Sequence, residues 1–76
     1  MNTHKGDRFW VEKWHDVLGW RAVDFASSNA VQYCHGYLDA MDSLYPSAKY
    51  RICKRDSPSN MKVLRETGGR GEVHTN

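Results

Sequence analysis

The chain is short, at 76 residues and 8.8 kDa, with 39% hydrophobic and 26% charged residues. A domain of this size buries only about 60% of the surface of its unfolded chain, which leaves little room for a catalytic pocket of several hundred cubic ångströms. The composition therefore predicts one small globular domain and disfavours an ordinary metabolic enzyme. The formal net charge of +2 excludes an acidic mimic of DNA and does not by itself indicate a nucleic-acid-binding protein.

The net charge is divided unevenly along the chain. Residues 1–48 contain four Lys and Arg against six Asp and Glu, a balance of −2, whereas residues 49–76 contain seven against three, a balance of +4. We therefore expect the positive charge to concentrate in the last part of the domain, where an anionic partner would bind.

Nothing in the sequence indicates export or a membrane span. No apolar run approaches eighteen residues, and no hydrophobic stretch follows the first residues as it would in a signal peptide. Two cysteines, Cys34 and Cys53, are too few for a disulfide framework. We expect a cytoplasmic protein with no membrane contact and no cofactor.

All nine aromatic residues lie between Phe9 and Tyr50, and this window marks the folded part of the chain. The end of the chain is rich in glycine and offers too little apolar surface to offset the entropy cost of ordering it. We predict a single α+β domain over residues 8–66, with flexible tails at 1–7 and 67–76, the second of them disordered.

The first half of the domain has the pattern of a β-hairpin. Residues 8–15 and 20–26 are rich in aromatic and β-branched side chains, which is typical of strands. Residues 16–19 form a short turn in which Gly19 supplies the positive φ of a three-residue hairpin loop with a bulge. This register places Trp14 opposite Trp20.

A helix follows the hairpin. The segment Ser27-Ser28-Asn29 offers N-cap side chains, and Pro46 ends the helix. Gly36 weakens its middle, and we expect a glycine there to let a strand side chain approach closely. The apolar stripe with helical spacing consists of Ala30, Val31, Cys34, Leu38, Met41 and Tyr45. Residues 49–55 then predict a third strand and residues 61–66 a short fourth one, so the fold expected is a two-layer ββαβ domain.

Alternation along the strands sorts the side chains onto two faces of the sheet. The face that receives the helix is expected to carry Phe9, Val11, Val23, Phe25 and Ile52. The opposite face is expected to carry Trp10, Glu12, Trp14, Trp20, Ala22, Asp24, Arg51, Cys53 and Arg55. Exposed tryptophans beside arginines are typical of an interaction surface. We predict partner binding through Trp10, Trp14, Trp20, Arg51, Lys54 and Arg55.

Other interpretations of these residues are open at this point. The tryptophans would serve a purely structural role if they only pack across strands, if the C-terminal segment covers them, or if the two faces are inverted. The basic run from Lys49 to Arg55 is compatible with an edge strand that charge protects from aggregation, with binding to an acidic protein surface, and with binding to phosphate. A monomer and a homodimer both fit the pattern.

Catalytic and metal sites find little support. Zinc sites need four ligands, commonly in closely spaced pairs, and the chain has no C-x₂-C or H-x₃-H pair. Cys34 lies in the helical stripe and is expected to be a small buried hydrophobic residue. The basic neighbours of Cys53 favour a lowered thiol pKa, but no base or oxyanion site accompanies it. We predict no catalytic residue and no metal site.

Three features carry a resemblance to a known family: Phe9-Trp10 opening the first strand, a helix from Asn29 to Leu44, and the last strand Tyr50-Arg-Ile-Cys-Lys-Arg55. Through them residues 8–55, about two thirds of the chain, resemble the short inhibitors of host RNA polymerase that T-odd lytic phages encode. The resemblance implies a hairpin, one helix and a returning strand, and it implicates Arg51 and Arg55 in gripping the polymerase. The chain departs from the family in its hairpin turn, in its less acidic helix and in the segment after the third strand.

Two classes of function follow. The first is a small non-enzymatic protein-binding effector of phage type, which inhibits a larger host machine, RNA polymerase or a defence complex, by occupying a site with an acidic surface. The alternative is a single-stranded nucleic-acid-binding module, in which exposed aromatic residues stack on bases and basic residues follow the phosphates. Glu12 and Asp24 on the same face oppose a phosphate backbone.

Overall fold

The computed structural model describes residues 8–69, which form an α+β fold of two layers. The elements in chain order are β1 (Phe9–His15), β2 (Gly19–Ser28), α1 (Val31–Leu44), β3 (Tyr50–Ser57) and β4 (Asn60–Thr67). The four strands form one antiparallel sheet in the order β2-β1-β3-β4, and α1 packs across β2, β1 and β3. The predicted two-layer fold is confirmed, including its fourth strand. The predicted tail at 1–7, and residues 70–76 of the second tail, lie outside the described residues.

A three-residue loop joins β1 to β2, as predicted. His15 pairs with Gly19, and Gly19 has a φ of +77°, which side chains with a β-carbon rarely adopt. Trp14 then lies directly opposite Trp20.

A large bulge interrupts β2 opposite the middle of β1. Between the flanking strand pairs, four residues of β2 (23–26) lie against Val11 alone. At this bulge Phe25 has a φ of +64°, which is rare for an aromatic residue, and its side chain is 79% exposed. The prediction that Phe25 packs under the helix is therefore wrong. The bulge shifts the alternation, and Ala26 enters the core instead.

The core lies between α1 and the sheet. Its buried side chains are Val11, Ala26, Cys34, Leu38, Tyr50 and Ile52. Phe9 and Val23 pack at its margin, together with Val31 and Met41 of the helical stripe. Full burial of one aliphatic side chain, such as Val11, Leu38 or Ile52, contributes about 1.5–3 kcal/mol. The burial of Cys34 is confirmed, whereas Tyr45, the last residue of the predicted stripe, is exposed.

α1 begins without the predicted side-chain cap. Its N-cap residue is Ala30, which makes no side-chain cap hydrogen bond. The Ser28 hydroxyl instead accepts a hydrogen bond from the N–H of Ala30 (3.0 Å), and the Asn29 side-chain oxygen accepts one from the N–H of Arg8 (2.9 Å). Both groups therefore brace the connection from β2 into the helix.

The rest of the helix follows the prediction in part. It ends at Leu44, before Pro46, because proline cannot continue the hydrogen-bond pattern. Gly36 is exposed, and a β-carbon built on it would meet nothing within 4 Å. The prediction that Gly36 admits a strand side chain is therefore wrong. Over residues 8–69, no helix has the length and apolar character needed to cross a membrane.

Within residues 8–69, β4 is an edge strand that pairs only with β3. Arg65 ties it to the helix, since its guanidinium lies 2.6 Å from a carboxylate oxygen of Asp39 and 3.0 Å from Nδ1 of His35. β4 runs to Thr67, one residue beyond the predicted domain boundary. The next residue, Gly68, passes so close to Ala48 that a β-carbon on it would overlap the Ala48 carbonyl oxygen.

Candidate binding surface

The sheet face away from α1, called the outer face, has no second layer within residues 8–69. The strand register orders its side chains into rows that run across the sheet. From the hairpin end these rows are Trp20–Trp14–Lys49, then Ala22–Glu12–Arg51–Glu66, then Ser27–Trp10–Cys53–Val63. All three tryptophans therefore lie on the outer face, as predicted.

An ion pair between Glu12 and Arg51 occupies the centre of the outer face. Oε1 of Glu12 accepts a hydrogen bond from Nε of Arg51 at 2.8 Å and lies 2.7 Å from its Nη2. Oε2 of Glu12 accepts a hydrogen bond from the indole N–H of Trp10 at 3.0 Å. The two charged side chains are only 14% and 18% exposed. Glu12 therefore neutralises the charge of Arg51 within the protein, through a charge-assisted hydrogen bond that is stronger than a bond between neutral groups.

Trp14 and Trp20 pack edge to face at the hairpin end. Their ring centroids lie 5.5 Å apart at an angle of 66°, which is a favourable aromatic geometry. The Arg51 guanidinium covers Trp20 at 4.3 Å from the ring centroid. Trp14 keeps 38% of its surface exposed, so it is the tryptophan most available to a partner.

Trp10 differs from the other two tryptophans because its neighbours cover it. Only 8% of its surface is exposed, and the Arg55 guanidinium lies over its ring at 5.2 Å from the centroid. Trp10 therefore stabilises the outer face, and the exposed Arg55 is the group that a partner would meet at this position.

Lys54 is the one predicted contact residue that the structure separates from the rest. It pairs with Phe9, whose side chain packs against the core beneath α1. Because side chains alternate along a strand, Lys54 belongs to the helix side of the sheet while Arg51 and Arg55 belong to the outer face. The six predicted residues therefore do not form one patch.

Cys53 lies fully buried between Trp10 and Val63. Burial and the Glu12 carboxylate raise the pKa of its thiol to about 12, against the opposing effect of Arg51. The prediction of a lowered pKa is therefore wrong. Neither Cys34 nor Cys53 forms a disulfide, and no group of three or more metal-ligating side chains occurs among the described residues.

A cleft of about 280 Å³ opens beside the tryptophan pair, and we call it the tryptophan cleft. It is lined by Trp14, Trp20, Lys49, Glu66, Thr67 and Gly68. The Thr67 hydroxyl is buried there without a hydrogen-bond partner in the described part of the chain, an arrangement that is uncommon in folded proteins. Glu66 lies opposite Arg51 but makes no ion pair within residues 8–69, since Arg51 bonds to Glu12 instead.

The cleft brings together groups that the sequence did not single out. Residues 67 and 68 were predicted to belong to a flexible tail, whereas here they form a wall of the cleft. Lys49 was part of the basic run but had no assigned face. Trp14 and Lys49 also line a neighbouring depression of about 400 Å³. No local sequence pattern signals this wall, because it depends on how the end of β4 packs against the start of β3.

Comparison of the chain with protein-family models, with curated proteins and with solved structures finds no match. The resemblance to short phage inhibitors of RNA polymerase stays an expectation from the sequence. The chemistry of the outer face therefore carries the functional assignment.

Proposed function

We propose that this protein is a small protein-binding effector that occupies a site on a larger partner through the hairpin end of the outer face. The observation that carries the proposal is the Trp14–Trp20 pair beside the tryptophan cleft, on a sheet face with no second layer in the described residues. Tryptophan is enriched among residues that dominate interface energetics, where its removal costs about 2 kcal/mol or more.

The hairpin end is held in place before any partner arrives. Glu12 fixes Arg51, Arg51 covers Trp20, and Trp20 packs against Trp14. A surface whose side chains are already ordered loses less conformational entropy on binding, so more of the contact energy appears as affinity. Trp14 is the anchor in this arrangement, and the cleft beside it receives a side chain of the partner.

The partner in this proposal carries acidic groups around an apolar contact. Lys49, directly before β3, and Arg55, near the end of β3, are exposed cations without an ion pair to any described residue. Carboxylates on the partner would pair with them and steer the encounter. The resemblance to phage inhibitors makes a bacterial host machine, RNA polymerase in particular, the first partner to test, with Arg55 rather than the neutralised Arg51 as the contact.

The features that favour protein binding disfavour the single-stranded nucleic-acid alternative on this face. Base stacking needs exposed aromatic rings with unpaired cations beside them. Trp10 is covered, Arg51 is neutralised, and Glu66 places beside the cleft a carboxylate that has no ion pair within residues 8–69. Of the three tryptophans, only Trp14 offers a large exposed ring.

Capture from a bacterial lysate treated with nuclease tests the proposal. Tagged wild-type protein is compared with Trp14→Ala and Trp20→Ala, and with Tyr45→Ala, which removes an exposed aromatic residue from the end of α1. Wild type and Tyr45→Ala should retain the partner, while each tryptophan variant should lower affinity by about tenfold or more. Tryptophan variants that keep the circular dichroism spectrum and full partner binding would refute the assignment. Capture that nuclease abolishes would favour the nucleic-acid alternative.

The identity of the partner has its own test. Purified protein is titrated into transcription by bacterial RNA polymerase, with Arg55→Ala and Tyr45→Ala as the variants. Inhibition that saturates at one protein per polymerase, weakened by Arg55→Ala but not by Tyr45→Ala, is the result expected. Unchanged transcription at a large molar excess of protein excludes the polymerase as the partner.

A further inference from the structure

Positive charge gathers at the end of the sheet away from the tryptophan cleft. Four cations meet there, which we call the basic end: Arg8, Lys54, Arg55 and Lys62. Lys54 lies directly opposite Lys62 on β4. The N–H of Arg55 bonds to the carbonyl oxygen of Arg8 at 2.9 Å, so these two residues also lie side by side on neighbouring strands.

This arrangement places like charges next to each other without compensation. Neighbouring strands lie about 4.8 Å apart, and like charges directly opposite each other destabilise a sheet. None of the four cations has an ion pair to a described residue, and Asp56 is the one acidic residue in the span 54–62. The start of α1 adds to the positive potential, because Asn29 bonds to Arg8 and no acidic residue lies in the first helical turn.

The four cations lie on both faces of the sheet. Lys54 and Lys62 belong to the helix side, whereas Arg55 covers Trp10 on the outer face. Beyond Arg55, where pairing with the segment that leads into β1 ends, β3 and β4 continue as a short two-stranded ribbon that is closed by the turn between Ser57 and Asn60. A flat acidic protein surface would reach only one face of such a ribbon. A groove of a nucleic-acid duplex carries phosphates along both of its walls and admits a two-stranded ribbon.

We propose that the basic end binds the phosphate backbone of a nucleic-acid duplex, with the tip of the β3–β4 ribbon directed into a groove. The contact is electrostatic and carries no base reading, since the cations meet the phosphates and the two residues of the turn, Pro58 and Ser59, are small and uncharged. This contact is centred away from the tryptophan cleft, because the basic end and the cleft lie at opposite ends of the sheet, and Arg55 is the one residue that it shares with the proposed protein contact. Arg8, Lys54 and Lys62 belong to the duplex contact alone.

The proposal predicts how steeply the affinity for a duplex falls as the salt concentration rises. Each neutralised phosphate contributes about −0.9 to the slope of log affinity against log salt concentration for B-form DNA. Four contacts predict a slope of about −3.6, and hence a loss of about 100-fold in affinity between roughly 50 and 200 mM salt. Removing two of the cations should make the slope less negative by about 2.

Fluorescence anisotropy with a labelled DNA duplex of mixed sequence tests this expectation. The test variant carries Lys54→Gln and Lys62→Gln together. The matched control carries Lys13→Gln and Arg21→Gln, which removes another pair of cations that lie directly opposite each other, near the hairpin end. The test variant should bind about tenfold or more weakly than wild type, with the shallower slope, whereas the control should keep both the affinity and the slope.

Three results would overturn the proposal. The first is a control variant that weakens binding as much as the test variant does. The second is a labelled single strand of the same sequence that binds as tightly as the duplex. The third is poly-glutamate that binds as tightly as the duplex, which would identify an acidic protein as the ligand. A duplex of RNA in a parallel titration shows whether the same contact accepts both kinds of duplex. Melting temperatures of the two variants show whether a loss of binding is caused by unfolding. The tryptophan variants do not alter the basic end, so the failure of one proposal leaves the other measurable.

Discussion

Glu12 organises the outer face because its two carboxylate oxygens serve different partners. One oxygen holds Arg51 of β3, and the other accepts the indole N–H of Trp10 on β1. Arg51 in turn covers Trp20, so a single carboxylate sets the positions of two aromatic rings on neighbouring strands. A partly buried guanidinium without this partner would lose its hydrogen bonds with little water to replace them, which is costly.

The raised pKa of Cys53 predicts a loss of stability in alkaline solution. The folded protein keeps the thiol protonated up to about pH 12, while the unfolded chain releases the proton near pH 9. Because the unfolded state binds fewer protons between these values, the free energy of unfolding falls as the pH rises through this window. For one proton the slope is at most about 1.4 kcal/mol per pH unit. Urea denaturation at pH 8, 9 and 10 measures it.

Cys53→Ala is the variant that isolates this contribution. It removes the titrating thiol, so its unfolding free energy should fall less steeply than that of wild type above pH 9. Tyr37 and Tyr50 also have raised pKa values, through burial first, and they contribute in the same direction above pH 10 in both proteins. Parallel pH profiles for the two proteins between pH 9 and 10 would contradict the assignment.

Cys53 also shows why its chemistry could not be predicted from sequence neighbours. The adjacent basic residues favoured a lowered pKa, yet Lys54 lies on the other face of the sheet and Arg51 is neutralised by Glu12. Glu12 is close to the thiol in space but far from it in the sequence. The pKa of a strand residue depends on cross-strand partners, which a local pattern does not specify.

At the scale of elements, periodicity predicted what is regular in the fold. The hairpin, the helix between its turn signals, the third and fourth strands and the Trp14–Trp20 register all follow from spacing. The departures occur where long-range contacts override local rules. The bulge in β2 exposes Phe25 and buries Ala26, and the Asn29 side chain accepts a hydrogen bond from Arg8, just before β1, instead of capping the helix.

Gly68 tests how the end of β4 is held, and Gly36 in α1 serves as a contrast because its surroundings are open. Gly68 has a φ of +92° and lies against the Ala48 carbonyl, so Gly68→Ala should cost about 1–3 kcal/mol or more and open the tryptophan cleft. Gly36 lies in a helix with open space around it, so Gly36→Ala should stabilise the protein by about 0.5–1 kcal/mol. Chemical denaturation measures both. Equal stability of Gly68→Ala and wild type would show that the wall of the cleft does not depend on this close approach.

At the scale of the whole molecule, a net charge of +2 conceals an uneven distribution of cations and acids. Cations collect at the basic end without ion pairs to described residues, whereas the carboxylates of Glu12 and Asp39 are already paired to arginines. The unpaired charges at the surface are therefore mostly positive at one end and mixed at the hairpin end, where Lys49 and Glu66 share the cleft. Position along the sheet, and not total charge, should decide the effect of a charge change.

Lys62→Glu and Lys49→Glu test this point, because each lowers the formal net charge from +2 to 0. Lys62→Glu replaces a like-charge pair with an attractive one opposite Lys54, so it should stabilise the protein by about 0.2–1 kcal/mol. Lys49→Glu places a second carboxylate beside Glu66, so it should destabilise the protein by a similar amount. Both effects should shrink in 1 M salt, where screening acts over about 3 Å. Shifts of the same sign in the two variants would mean that total charge decides stability, and that the position of a charge at the basic end has no separate effect.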